Sequence, residues 1–375
     1  MMKGIFLQFR INEKIVNLKG VRNIGGIKIK DVAKKAGVGV GTVSRVLNNK
    51  EHVKSATRER VIEAIKELDY QPHAIARSLS SKRTNTITVY LLQDFTGFRM
   101  NVIRGIQSEL RKFNFDIILN CLDDTQEVKT LSKKVQSYSI QSKTDGCIII
   151  SLLPESKLKP DLISKDYPVV LIDSQRDKFS SVYIDNVSAA YNAVSYLFQL
   201  GHRSIGYLMG VQSTTSGYER LLGVKKFYQE KGITLDNKFI SIDHFTFKAG
   251  YKATKKFLSQ ERTNSLTAIF AVSDYQAAGA EKVLKEAGLR VPDDISLIGF
   301  DNKPLAEYLD LTTFSQPIYD MGVLGANIIL KELGYLEEFP KMKFNFEMKV
   351  ENKNNKVHIA LIPKMIFRKS VKKLG

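Results

Sequence analysis

From residue 86 onward, short apolar runs alternate with longer stretches whose apolar positions recur every three to four residues. The runs predict strands at 86–92, 115–120, 146–151, 168–172, 204–209, 239–242, 267–272 and 295–299. The 3.6-residue period predicts helices near 99–113, 126–142, 187–200, 217–231, 248–260, 274–287 and 318–333. Uninterrupted apolar strands separated by amphipathic helices imply parallel sheets covered on both faces. The segment between the flanking stretches has 255 residues. At that length it forms two doubly wound lobes with a cleft between them.

The N-terminal part follows a different rhythm. "IKIKDVAKKAG" sets Val32, Ala33 and Ala36 on one helical face, with Lys34 and Lys35 opposite and Gly37 placed to end the helix. "GTVSRVLNN" repeats the pattern with Val43, Val46 and Leu47. "SATRERVIEAIKELDY" adds a third helix, with Ser55 expected as its N-cap and Val61, Ile65 and Leu68 on one face. Residues 72–84 read as a linker: Pro72 can open a short helix, and Ala74 to Leu79 has helical propensity but little to bury. Residues 1–26 lack either period and are expected to be a disordered extension. The expected division is therefore 1–26 extension, 27–71 all-α domain, 72–84 hinge and linker, and 85–375 two-lobed α/β domain. Within the last, the Lys- and Asn-rich 341–357 is expected as an inserted hairpin or loop before a final strand at 358–367.

Charge adds something the pattern does not hold. The net charge is +18. Residues 1–85 carry 18 Lys and Arg against 7 Asp and Glu; residues 341–375 carry 10 against 2; the rest carries 29 against 30. A basic head on a near-neutral body is the footprint of a modular nucleic-acid binder. The basic tail "RKSVKKLG" is expected to be solvated more than to touch DNA. The longest apolar run, "GCIIISLLP", is short of the ~20 residues of a membrane helix. The N-terminus shows no small-residue cleavage site, so a cytoplasmic location is expected. The two cysteines, Cys121 and Cys147, lie in apolar runs without metal-ligand spacing, and are expected as buried structural thiols.

The stretch "AGVGVGTVSRVLNN" places glycines at 37, 39 and 41, which raises the question of a phosphate cradle. Such a cradle needs a buried strand entering the glycines, and here a lysine-bearing helix enters. The G-x-G-x-x-G spacing also fails, because Thr42 and Ser44 stand where glycine is required. A helix-turn-helix fits instead, with the second helix in the major groove. Thr42 and Ser44 offer hydroxyls to phosphates, and Arg45 can reach a guanine edge.

Four motifs in one order, "IKDVAKKAGVGVGTVSRVLNN", "YQPHAIARSLSSKRTNTI", "GHRSIGYLMG" and "IFAVSDYQAAGAEKVLKEAGLRVPDDISLIGFDN", resemble the lactose-repressor/galactose-repressor (LacI/GalR) family of bacterial transcriptional regulators. The likeness covers about 27–340 and resumes at "HIALIPKMIFRKS", so 341–357 is the main departure. It implies a periplasmic-binding-protein-like effector domain and a dimer on a pseudo-palindromic double-stranded operator. It also implies a small-molecule effector, a sugar or sugar phosphate, bound between the lobes, and a cytoplasmic repressor of carbohydrate-utilisation genes.

The resemblance carries residue roles with it. Val40 and Gly41 fall on the positions that set operator preference, Arg45 on the base-reading arginine, and Thr42, Ser44 and Asn48 on phosphate contacts. Gly39 stands where the family usually has a capping serine. Leu79, with Ala76 beside it, falls on the hinge-helix leucine that wedges between base pairs in the minor groove; His73 replaces a common asparagine. Asp173, Arg220 and Asp301 fall on polar effector contacts and Phe245 on a stacking aromatic, with Ser273 and Gln316 as further contacts. Read without the family, Asp173 and Asp301 could cap helices, Arg220 could be a surface charge and Phe245 core. "LLQDFTGFRMNVIRGI" departs from the family's usual loop after the first strand.

Other functions remain to be weighed. One is a catabolite-control-type regulator governed by a phosphorylated phosphocarrier protein; another is a purine-type corepressor regulator. A sugar-transport receptor would require export. An enzyme is not expected: G-x-S-x-G, H-E-x-x-H and P-loop patterns are missing, the histidines have no metal spacing, and no cofactor or metal is implied. The C-terminus has no leucine heptad, which makes a dimer the default.

Overall fold

The computed structural model describes residues 27–47, 53–70, 83–92, 97–122, 127–141, 143–152, 167–212, 214–260, 266–340 and 343–374. The chain divides into two units, residues 1–82 and 83–375.

The described part of the first unit is three helices: α1 (Ile29–Ala36), α2 (Val40–Leu47) and α3 (Ser55–Glu67). The Asp31 carboxylate accepts the Lys28 N–H at 2.7 Å and starts α1. Gly37 ends it in a left-handed conformation (φ 65°), and the Val38 N–H returns to the Ala33 carbonyl at 3.0 Å. Val32, Ala33, Ala36, Val43, Val46, Val61, Ala64 and Tyr70 form the core, as the apolar spacing demands. Lys54, not Ser55, is the N-cap of α3; Ser55 is its first residue and donates to Glu59 Oε1 at 3.1 Å.

The second unit holds two α/β lobes. The first is a seven-stranded sheet in the order β11-β12-β5-β4-β3-β1-β2. Its strands are β1 (Thr86–Leu92), β2 (Asp116–Leu122), β3 (Gly146–Ile150), β4 (Val169–Ile172), β5 (Ser180–Ile184), β11 (Glu347–Lys353) and β12 (Lys356–Ile362). All neighbours run parallel except β11 and β12. One face is covered by α4 (Gly97–Lys112) and α11 (Ile318–Glu332), the other in part by α5 (Glu127–Ile140). Helices α4 and α11 touch backbone to backbone: a Cβ at Gly105 would lie 2.1 Å from the Tyr319 carbonyl oxygen, and one at Gly322 2.1 Å from that of Val102.

The second lobe is a parallel sheet in the order β7-β6-β8-β9, from β6 (Ile205–Gly210), β7 (Ile240–Asp243), β8 (Ala268–Ala271) and β9 (Ser296–Ile298). Helices α6 (Asn186–Gln199) and α7 (Thr215–Lys231) cover one face, α8 (Phe247–Gln260) and α9 (Asp274–Glu286) the other. A short α10 (Pro304–Tyr308) and an antiparallel pair, β10 (Thr313–Ser315) with β13 (Lys364–Ile366), complete the lobe. The chain crosses between lobes three times: β5 to α6, β10 to α11, and β12 to β13.

The expected final strand at 358–367 is thus two strands, split at Pro363 and delivered to different sheets. The segment before it is a hairpin, β11 turning into β12 through Asn354 and Asn355. The backbone of the basic tail is docked on the second lobe, while Lys369 and Lys373 keep their side chains in solvent as expected. The Leu374 N–H donates to Leu200 O at 2.8 Å, the Leu297 N–H to Ser370 O at 2.8 Å, and His202 Nε2 lies 3.0 Å from Lys372 O. Cys147 is buried as expected, but Cys121 on the edge strand β2 is only half-buried. Among the described residues, no helix is long and apolar enough to cross a membrane.

Candidate nucleic-acid and effector sites

On α2, Val43 and Val46 face the core, which leaves the arc holding Val40, Gly41, Ser44 and Arg45 turned outward. Val40 is 40% exposed, and a side chain at Gly41 or Gly39 would meet nothing within 4 Å. Arg45 is exposed and donates to Thr42 Oγ1 at 3.4 Å, a loose contact that leaves its guanidinium reaching outward. The helix start is therefore small, bare and accessible, as close approach to a duplex requires. Asn48, Ala76 and Leu79 lie outside the described residues.

In both lobes the candidate effector residues stand at the carboxyl ends of the parallel strands, where helix-flanked sheets open their crevices. Asp173 follows β4 in a left-handed conformation (φ 57°), and Ser151, just past β3, donates its hydroxyl to Asp173 Oδ2 at 2.8 Å. Asp301 follows β9 (φ 114°) and accepts from Gln316 Nε2 at 2.8 Å, while Lys303 Nζ ion-pairs with its other oxygen. Arg220, 4% exposed on α7, lies with its guanidinium 3.6 Å above the Phe300 ring. It donates to Asn186 Oδ1 at 2.9 Å and to the Val272 carbonyl at 2.7 Å. A buried cation held by neutral oxygens keeps its charge available to its surroundings.

These groups feel one another across the crevice. Burial pushes the Asp173 carboxyl up, opposed by the Ser151 hydroxyl and by the charges of Arg220 and Arg99. Burial lowers Arg220, opposed by Asp301, Asp173, Glu219 and Asp274. Asp173 of the first lobe thus lies within electrostatic reach of Arg220 and Asp301 of the second.

Phe245 lies against the end of β6: a Cβ on Gly210 would sit 2.1 Å from its Cζ, so only glycine lets the ring rest there. Ser273 is 2% exposed and its hydroxyl serves the fold. It accepts the Gln276 N–H at 3.1 Å as the N-cap of α9, and donates to the Phe245 carbonyl at 3.4 Å.

Sequence reasoning missed several neighbours. Glu219 accepts from Asn186 Nδ2 at 3.0 Å, and burial pushes its carboxyl up to about 7. Arg99, in the first turn of α4, is buried within the field of Asp173. Asp274 accepts from Thr313 Oγ1 at 2.6 Å and from the Lys303 N–H at 2.7 Å, which fixes the loop carrying Asp301; burial pushes it up to about 6. Glu219 and Lys303 lie one and two residues from recognised positions, a signal that was available; Asn186 follows a strand the pattern did not reveal.

Two family models match the chain: "Bacterial regulatory proteins, lacI family" over residues 28–73, and "Periplasmic binding protein-like domain" over residues 194–371. The HTH-type transcriptional regulator RegA of Clostridium saccharobutylicum is 33% identical over 315 residues, 82% of this chain and 93% of that protein. Among solved structures, the transcriptional regulator CelR in complex with cellobiose is 28% identical with a TM-score of 0.61, covering 92% of this chain and 99% of that one. The lac repressor dimer bound to operator and the anti-inducer ONPF shares the fold at a TM-score of 0.75, with 24% identity over the same shares.

Proposed function

Because this chain belongs to the lacI family of bacterial regulatory proteins, and is a DNA-binding transcriptional regulator, we propose that a sugar held between its two lobes switches its affinity for an operator. The observation that carries this reading is that Asp173, at the end of a strand of one lobe, lies within electrostatic reach of Arg220 and Asp301 of the other. A sugar offers paired hydroxyls to a carboxylate or a guanidinium fork and an apolar face to an aromatic ring. Asp173, aimed by Ser151, and Asp301, aimed by Gln316, accept from hydroxyls; Arg220 donates; Phe245 stacks. Ser273 acts through Phe245 as a positioning residue. The bound cellobiose of the related CelR structure supports a carbohydrate as the ligand class.

A ligand gripping both lobes favours their closed arrangement, and so biases a two-state equilibrium. On the DNA side, Arg45 reads a base edge, Val40 and Gly41 contribute apolar contact and closeness, Thr42, Ser44 and Asn48 hold phosphates, and Leu79 with Ala76 wedges the minor groove. The protein acts as a homodimer on a pseudo-palindromic operator, repressing carbohydrate-utilisation genes. The test is operator binding by fluorescence anisotropy against a panel of neutral sugars and sugar phosphates. One member should shift the operator Kd by roughly 5–150-fold, the range of allosteric couplings; no response across the panel refutes the proposal.

A further inference from the structure

The hairpin that departs from the family pattern ends the seven-stranded sheet with an open edge. Among the described residues, strand β11 is outermost and pairs only with β12, and all seven of its residues are exposed. Its sequence, Glu347-Met348-Lys349-Val350-Glu351-Asn352-Lys353, is self-complementary when reversed about Val350. We propose that, beyond the homodimer of the proposed function, β11 pairs antiparallel with β11 of a further copy of this chain, joining two sheets edge to edge about a two-fold axis at Val350 and so linking one homodimer to another.

The backbone geometry permits this register. Asn354 and Asn355 both have positive φ (53° and 60°), the signature of a two-residue type I′ turn. Such a turn closes on a hydrogen bond between Lys353 and Lys356. Alternation along the ladder then directs the N–H and C=O groups of Glu347, Lys349, Glu351 and Lys353 toward β12. Those of Met348, Val350 and Asn352 point to the free edge. With the axis at Val350, these three residues meet Asn352, Val350 and Met348 of the second copy, and each pair exchanges two backbone hydrogen bonds.

Side chains agree with the backbone. Lys349 meets Glu351 of the second copy and Glu347 meets Lys353, both as pairs not bonded through the backbone, where side chains come closest. On the other face, Val350 and Met348, now 52% and 39% exposed, gain cover from their counterparts. Within one chain, Lys349 lies 3.9 Å from Asp185 and Lys353 2.8 Å from Asp177. Lys353–Asp177 is an exposed surface pair and Lys349–Asp185 a long contact to a half-buried carboxylate, so both contribute little and re-pair at little cost. Charged edge strands ordinarily repel pairing. Here the signs alternate in a palindrome, so the same charges that repel other edges select this one.

The test is sedimentation equilibrium of full-length chains. The wild-type chain should show at least twice the mass of the two-chain homodimers that K349E or E351K forms, because each reversal places like charges opposite each other at two symmetric points. Mixing the K349E and E351K chains restores opposite charges at both points and should recover the doubled mass. Equal masses for wild type and both variants overturn the proposal, and so does a mixture that remains at the lower mass.

Discussion

Glu219 offers a stability measurement whose sign and pH window follow from its surroundings. Its carboxyl accepts from Asn186 Nδ2, and burial holds it at about 7 against an ordinary 4.5, with Asp173 and Asp185 adding to the rise and Arg220 opposing it. The folded state therefore holds a proton that the unfolded state releases. Stability from this group is fully present below 4.5 and is lost as pH rises to about 7. The shift corresponds to about 3 kcal/mol at full burial. Residual solvent access reduces this to about 1–2 kcal/mol. Glu219→Gln keeps the shape and the acceptor for Asn186 while removing the charge. It should stabilise residues 83–375 by that amount at pH 8, and most of the gain should vanish at pH 5. Denaturant unfolding at both pH values, followed by tyrosine fluorescence in a chain without tryptophan, measures the difference. A gain equal at both pH values, or a loss at pH 8, refutes the reasoning.

Two further substitutions probe the two sites. Gly41→Gln, which meets nothing within 4 Å in the fold, should leave thermal stability within about 0.5 kcal/mol while changing the preferred bases in an operator-selection experiment; unchanged preference contradicts the placement of α2 on the bases. Gly210→Ala forces the Phe245 ring aside, since the new Cβ would lie 2.1 Å from Cζ. Because a ring moves and no backbone must, the stability cost should sit at the low end of about 1–3 kcal/mol. Effector response should be lost while operator affinity without effector is kept, both read by anisotropy.

Most of the α/β alternation could be read from the chain because parallel strands are buried on both faces and stay apolar throughout, as Val169 to Ile172 do. β5 was hidden because Ser180 and Ser181 break its apolar run. Both are fully buried, and their hydroxyls are satisfied by Glu332 and His358, contacts 152 and 177 residues distant in sequence that no local pattern reveals. The break at Pro363 looked like one strand because both halves are apolar, and only the return to the second lobe separates them. Ser55 satisfied the composition of a cap but sits one residue inside the helix. At the candidate effector site, the family resemblance supplied Asp173, Arg220 and Asp301. Of the partners that aim or tune them, Glu219 and Lys303 sit beside those positions in the sequence, whereas Ser151 and Asn186 come from 22 and 34 residues away and became visible only in three dimensions.

The central claim is that the carboxylate of the first lobe takes part in a grip that is read out at DNA. Asp173→Asn preserves the shape and the acceptor for the Ser151 hydroxyl but removes the charge facing Arg220. The decisive measurement is operator anisotropy of wild-type and Asp173→Asn chains with and without the sugar that answers in the panel. The account predicts equal operator affinity without sugar and a response weakened by roughly tenfold or more in the variant, as for loss of a charge-assisted hydrogen bond. An unaltered response would contradict it.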